Sequence, residues 1–227
     1  MTKYAMVIDL GKCVGCSECQ IACKIENTVG AGQFFSHHET ITTGTFPKVS
    51  YRYIPTMCNH CDDPACMKVC PVGAIAQKDG LVVQDPGTCV GCGLCNEACP
   101  YGNIRLRTAD ALFVEAGDDD PFIDGCTATG AEVAEETGVP VGWGNYSAAS
   151  KDVVAAASTS GKCNFCEHLV AKGDDPYCVH MCPAGARVWG DVEDAKSDVA
   201  KLLAENEPSV SHPEYGTNPN VYYIGQY

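Results

Sequence analysis

The chain has 227 residues, enough for one ordinary domain or two small ones, and its formal net charge of −14 excludes a surface built for nucleic acid. Hydrophobic residues make up 45% of it, but 17 of these are Cys and only 8% of the chain is aromatic, so an ordinary apolar core is not expected. An odd cysteine count in a long chain, with spacings that repeat, argues against a disulfide scaffold, and without a run of about 18 apolar residues no membrane span is expected.

The first residues show neither a charged-then-apolar leader nor a twin arginine, so the chain is expected to carry no export signal of its own. Val7-Ile8-Asp9 reads as a strand leading into the first cysteine tetrad, Cys13, Cys16, Cys19 and Cys23. Residues 25 to 54 read as an excursion holding His37-His38 and Gly44-Thr45-Phe46-Pro47. The second tetrad is Cys58, Cys61, Cys66 and Cys70, with Pro64 placed to start a helical turn. Ala74-Ile75-Ala76-Gln77 and Leu81-Val82-Val83-Gln84 flank Lys78-Asp79-Gly80, a tight hairpin pattern with Asp-Gly at its tip. The third tetrad, Cys89, Cys92, Cys95 and Cys99, precedes a Gly- and Ala-rich, acidic segment over 108–160, read as a partner-contact arm with at most one or two short helices. Cys126 within it reads as an incidental free thiol. The fourth tetrad is Cys163, Cys166, Cys178 and Cys182. Asp191 to Glu205 places Val192, Ala195, Val199, Leu202 and Leu203 on one helical face, and Val221-Tyr222-Tyr223-Ile224 reads as a strand in a tail that straps the core.

An internal repeat runs through these segments. Cys-Val-Gly-Cys occurs at Cys13–Cys16 and again at Cys89–Cys92, and the closing cysteines begin Cys70-Pro71-Val72-Gly73, Cys99-Pro100-Tyr101-Gly102 and Cys182-Pro183-Ala184-Gly185. The unit is therefore strand, cysteine loop, short helix, Cys-Pro-x-Gly turn, strand. Glycine between close cysteines lets the backbone curl so that three thiolates converge, whereas the fourth, beyond a helical turn, points away and serves a second centre. Such crossed ligation makes tetrads work in pairs, which is the wiring of iron-sulfur cubanes. The short link between the second and third tetrads favours their pairing and leaves the first for the fourth, although two other pairings are conceivable. Zinc is the rival: Cys-x2-Cys-x2-Cys-x3-Cys crowds four ligands more tightly than zinc sites do, but the fourth tetrad alone could form a ribbon. His60, His168 and His180 read as hydrogen-bond donors around the ligands or as surface residues. Lys12, Lys24, Lys68 and Lys162 read equally as charge balance for clusters or as solvated lysine. No dinucleotide-binding, phosphate-binding or nucleophile motif is found, so no catalytic residue is expected.

The tetrads, together with Tyr53-Ile54-Pro55-Thr56-Met57-Cys58-Asn59-His60-Cys61, resemble the four-cluster iron-sulfur subunits of the dimethyl sulfoxide reductase superfamily of molybdopterin oxidoreductases. Ser36-His37-His38 with Gly44-Thr45-Phe46-Pro47 most resembles the small subunits of respiratory arsenate reductases, transhydroxylases and catechol dehydroxylases. The resemblance implies four 4Fe-4S clusters: cluster 1 on Cys13, Cys16, Cys19 and Cys182; cluster 2 on Cys163, Cys166, Cys178 and Cys23; cluster 3 on Cys58, Cys61, Cys66 and Cys99; cluster 4 on Cys89, Cys92, Cys95 and Cys70. Lys24 departs from the proline that follows the other closing cysteines.

The expected fold is α+β, with two bacterial-ferredoxin-like two-cluster units, one nested within the other. Residues 1–54 plus 161–190 form the outer unit, 55–107 the inner unit, 108–160 the arm, and 191–227 the C-terminal helix and strap. The expected function is one-electron relay to or from a large catalytic subunit bearing a molybdenum or tungsten bis-pterin, with a membrane-anchored quinone-oxidising subunit or a soluble donor as further partner. Export, folded, with a twin-arginine-signalled partner is expected, the cytoplasm being the alternative. A free-standing polyferredoxin and a zinc-built scaffold are the rival functions.

Overall fold

A computed structural model describes residues 2–27, 29, 32–107, 128–129, 132, 135–136 and 159–225. Almost all of the arm read over 108–160, with Cys126, lies outside the described residues. In chain order the elements are β1 (Tyr4–Asp9), α1 (Glu18–Glu26), β2 (Ser36–Thr45), β3 (Lys48–Met57), α2 (Ala65–Lys68), β4 (Ile75–Lys78), β5 (Leu81–Gln84), α3 (Leu94–Ala98), β6 (Ile104–Leu106), β7 (Ser160–Lys162), α4 (Glu167–Val170), α5 (Tyr177–His180), β8 (Arg187–Asp191), α6 (Asp198–Glu205), β9 (Ser209–Val210) and β10 (Val221–Ile224). Among the described residues no helix is long and apolar enough to cross a membrane.

β1 is apolar on both faces, as a strand covered on both sides must be. Ala5 and Val7 pack against Val199 of α6, while Met6 and Ile8 face the core that holds Cys23, Cys163 and Cys178. In the four-stranded sheet β1 lies between antiparallel β8 and parallel β10, with β9 outside β10. One sheet thus joins the strand before the first tetrad, the strand after the fourth, and the C-terminal strand. Tyr223 Oη reaches across to donate to the Pro55 carbonyl at 2.8 Å. A second link, antiparallel β6–β7, ties the segment after the third tetrad to the one before the fourth.

The repeat is visible in the backbone. Gly73, Gly102 and Gly185 adopt φ of 67°, 61° and 56° after their Cys-Pro steps, and β4, β6 and β8 each begin two residues later. Helices α2, α3 and α5 end before their closing cysteines; α1 runs on past Cys23 to Glu26, because Lys24 stands where proline would block it. Asp79 and Gly80, at φ of 50° and 79°, close the expected β4–β5 hairpin.

Two expectations change. Within the 25–54 excursion lies most of a long hairpin, β2–β3, paired from Ser36↔Met57 to Thr45↔Lys48 with the cis Phe46–Pro47 bond in its turn. Its distal half is exposed on both faces, Phe46 being 92% exposed, so Thr-rich β2 lacks the apolar alternation that betrays a half-buried strand. The helix expected from Asp191 begins only at Asp198. Asp191 and Asp194 side chains accept the amides two residues on, at 3.0 and 2.9 Å, and hold 192–197 in turns. Ser197 Oγ then caps α6, accepting the Ala200 amide at 3.0 Å and donating to the Asp191 carbonyl at 2.6 Å. Ser197→Ala is expected to cost about 1–2 kcal/mol of helix stability. Amide exchange should accelerate across residues 198–205 and stay unchanged in α1; equal protection in both proteins would refute the cap.

Candidate metal centres

The loop after β1 turns at Gly15 (φ 66°), where the Tyr53 ring packs so closely that a Cβ would lie 2.3 Å from it. Cys13, Cys16 and Cys19 line a cavity there, and Cys182 lines it too, brought in from the turn after α5. Cys23 lies one helical turn beyond Cys19, a rise of about 6 Å that carries it past this cavity. The matching loop at Gly91 (φ 70°) puts Cys89, Cys92 and Cys95 around a second cavity shared with Cys70. Backbone amides point at the closing sulfurs: Ala186 donates to Cys182 Sγ at 3.3 Å and, at the equivalent repeat position, Ala74 to Cys70 Sγ at 3.2 Å. Ser160 bonds Cys89 Sγ through its amide, and its hydroxyl lies within hydrogen-bond distance, both at 3.4 Å. Burial pushes the Cys89 thiol up, but these bonds outweigh it and hold the group below the usual thiol range.

The other eight tetrad cysteines line neither of these cavities. Burial pushes the Cys23 thiol far up, and crowding by Cys163, Cys178 and Cys166 adds to it. Burial likewise raises Cys61 to about 11 and Cys66 to about 12, with Cys58 and Cys99 as the neighbouring thiols that add to the effect. Burial raises Cys166 to about 12, and the Cys178 thiol adds to the effect. Thiols so raised keep their protons at neutral pH unless a strongly electropositive body lies among them, which is what iron supplies. Among the described residues no three His, Cys, Asp or Glu side chains converge on a single-ion site. The donor set fits a multi-iron cluster better than a lone zinc.

The two kinds of cysteine loop differ where it matters. In the loops of the first and third tetrads Cys16 and Cys92 are exposed, and Val14 and Val90 are each 64% exposed. In the loops of the second and fourth tetrads, whose central side chains point inward, Cys-Asn-His-Cys and Cys-Asn-Phe-Cys carry His60 and Phe165 in place of the glycine, both buried and both at positive φ, 44° and 54°. Their rings stack at 3.7 Å. His60 Nδ1 accepts the Val82 amide at 3.1 Å, so Nε2 carries the proton and donates to the Cys163 carbonyl at 3.0 Å. Burial, and after it the charge of Lys162, holds this imidazole well below its usual range. His60 therefore joins the second tetrad's loop to the fourth's as a neutral bridge.

The other candidates divide by burial. Lys162 is buried, its Nζ donating to the carbonyls of Val82 and, at 2.9 Å, Cys163. Lys24 Nζ donates to the Val29 and Gln33 carbonyls at 3.1 and 2.9 Å. Lys12 and Lys68 are exposed and pair with Asp9 and Asp63, so solvated lysine describes them. His168 pairs with Glu26 at 2.6 Å, and exposed His180 stacks on Tyr177, so neither meets a cysteine. Sequence reasoning passed over Arg187, which is buried beside Cys178. The signal was there: Arg187 occupies the repeat position held by Ile75 and Ile104.

Two family models, each described as a 4Fe-4S dicluster domain, match residues 12–74 and 49–115. The arsenate respiratory reductase iron-sulfur subunit of Shewanella sp. is 43% identical over 98% of this chain and 96% of its own length. A tetrathionate reductase subunit of Salmonella typhimurium is 34% identical, covering 98% of this chain and 72% of that protein. A selenate reductase subunit of Mesobacillus selenatarsenatis is 35% identical with the same coverage.

His60→Ala removes the stack on Phe165 and strands the buried Val82 amide, a combined loss of about 2–4 kcal/mol. The unfolding midpoint of the metal-loaded protein should fall accordingly, and His60→Phe, which restores a ring without the hydrogen bonds, should recover part of it. An unchanged midpoint in His60→Ala would remove the bridge from the account.

Proposed function

The chain belongs to the iron-sulfur subunits of the dimethyl sulfoxide reductase family, and we propose that it holds four 4Fe-4S clusters in crossed pairs as the electron relay of a molybdenum or tungsten bis-pterin reductase. It is an electron-transfer subunit and is not catalytic on its own. The reading is carried by one observation: each of the two cavities is lined by three cysteines of one tetrad and the closing cysteine of another, Cys182 with Cys13, Cys16 and Cys19, and Cys70 with Cys89, Cys92 and Cys95. By the same logic Cys23 completes the set of Cys163, Cys166 and Cys178, and Cys99 that of Cys58, Cys61 and Cys66, in keeping with their mutual electrostatic influence.

When bound, such clusters supply reversible one-electron chemistry. The chain's residues do the rest. Cysteine sulfurs hold the iron; the amides of Ala74, Ala186 and Ser160 donate to them; the His60–Phe165 stack fixes the distance between the two inner loops. Exposed Cys16 and Cys92 bring their two sites to the surface, where electrons pass to and from partners. A nested arrangement, with 55–107 enclosed by 1–54 and 161–190, is supported by the sheet that unites β1, β8 and β10.

The relative that matches over nearly its whole length serves arsenate respiration, which favours the large subunit of a respiratory reductase as the partner. A quinone-oxidising membrane subunit or a soluble carrier would supply the electrons, and folded export with a twin-arginine-signalled partner would place the complex outside the cytoplasm.

The complex, purified anaerobically from its host, should contain roughly 16 irons and as many sulfides per copy of this chain, with molybdenum or tungsten in its large partner. Cys182→Ala should then damage the centre held by Cys13, Cys16 and Cys19. Loss confined to the Cys163 set would refute the crossed pairing, and zinc in place of iron would refute the relay.

A further inference from the structure

After the Cys-Pro-x-Gly turns, the repeat fills one core position with Ile75, 2% exposed, then Ile104, 1% exposed, and then Arg187, 3% exposed. A guanidinium therefore occupies a slot that the repeat otherwise keeps apolar. Its neighbours are soft and weakly polar: Met57 Sδ at 3.4 Å, Met6 Sδ and Cys178 Sγ at 3.6 Å, and Ser36 Oγ at 3.3 Å. Among the described residues no carboxylate pairs with it. Lys162, the other buried cation, is better served, since two backbone carbonyls accept from its ammonium.

Arginine does not shed its proton in proteins, and a buried cation that, unlike Lys162, donates to no carbonyl oxygen calls for opposite charge beside it. Apart from the Tyr223 phenol, the acidic groups in reach are thiols, those of Cys178, Cys19 and Cys163. Arg187 lines the cavity of Cys13, Cys16, Cys19 and Cys182, and it also bonds Cys178 of the neighbouring set. It stands between two of the four candidate centres.

We propose that Arg187 is the shared counter-cation of these two cysteine sets and raises the reduction potential of both centres. The assignment rests on the ligand sets proposed above. Adding one electron to a thiolate-bound cluster makes it one unit more negative, and a fixed guanidinium in a region of low dielectric stabilises that form over the oxidised one. No bond forms or breaks, and Arg187 neither gains nor loses a proton. Because the charge is permanent, the bias does not depend on pH through this residue.

The test is a potentiometric titration of the anaerobically purified complex, followed by electron paramagnetic resonance, with Arg187→Lys, Arg187→Gln and Arg187→Ile, after iron and sulfide have been counted. In the two neutral variants, the reduced-to-oxidised ratio of two of the four centres at a fixed potential should fall at least tenfold, about 59 mV for a one-electron couple. Arg187→Lys should keep both ratios within about threefold of the parent, the spread allowed by a moved but retained charge. Loss of those two centres in the neutral variants alone would equally support a counter-cation. Unmoved midpoints in fully loaded neutral variants, the same shift in all three variants, or loss of iron in all three would overturn it, because packing and not charge would then be at work. A parent protein with fewer than four clusters would instead overturn the ligand sets.

Discussion

Thiols drawn four to a cavity cannot all ionise there without positive charge among them, and this constraint organises the chain. Burial raises Cys61, Cys66 and Cys166 to about 11, 12 and 12, so the interior is a poor place for bare thiolates and a good one for thiolates bound to iron. The same constraint explains the thin apolar core. β1, β10, a few aromatic side chains and aliphatic residues such as Ile54, Leu81, Ile75, Val82 and Ile104 supply the ordinary packing, and cysteines share these apolar clusters with them.

Against this common plan the departures from the repeat carry the individuality. Gly15 and Gly91 give two loops that reach the surface; His60 and Phe165 give two that stack on each other in the interior at the cost of positive φ without glycine. Lys24 in place of proline lets α1 continue for a turn past Cys23, which places Asn27 to donate to the sulfurs of Cys23 and Cys166 at 3.6 and 3.8 Å. Arg187 in place of isoleucine puts a charge in a core position. In each case a change at one repeat position alters what a neighbouring cysteine set meets.

The acidic surface, the long β2–β3 hairpin and the electron-transfer role fit together in one respect. A relay without a catalytic site must be held against partners, and the exposed hairpin end, with Phe46, Val49 and Tyr51 all facing solvent, projects from the fold whose base lines the Cys13 cavity through His38 and Pro55. The base of the hairpin belongs to the core; its tip does not.

Much of this was legible in the chain itself. Cysteine spacing, Cys-Pro-x-Gly turns and the Asp79-Gly80 hairpin are local signals, set by backbone conformations that few residues allow, and they gave the candidate ligands and the repeat. The β2–β3 hairpin was not read, because Thr-rich β2, exposed on both faces over its distal half, carries no apolar period, although Val49, Tyr51 and Tyr53 of β3 alternate with Ser50 and Arg52; the early start read for α6 ignored the Asp191 and Asp194 side chains that hold the chain in turns. Lys162 could not be told from Lys12 or Lys68 by its place beside a cysteine; only packing shows that it is buried and they are not. Sequence determined which side chains can bind iron, since ligand chemistry is a property of residues and their spacing. Tertiary structure decided which charges share the interior with them, because burial depends on contacts between segments as far apart in the chain as Met6, Met57 and Arg187.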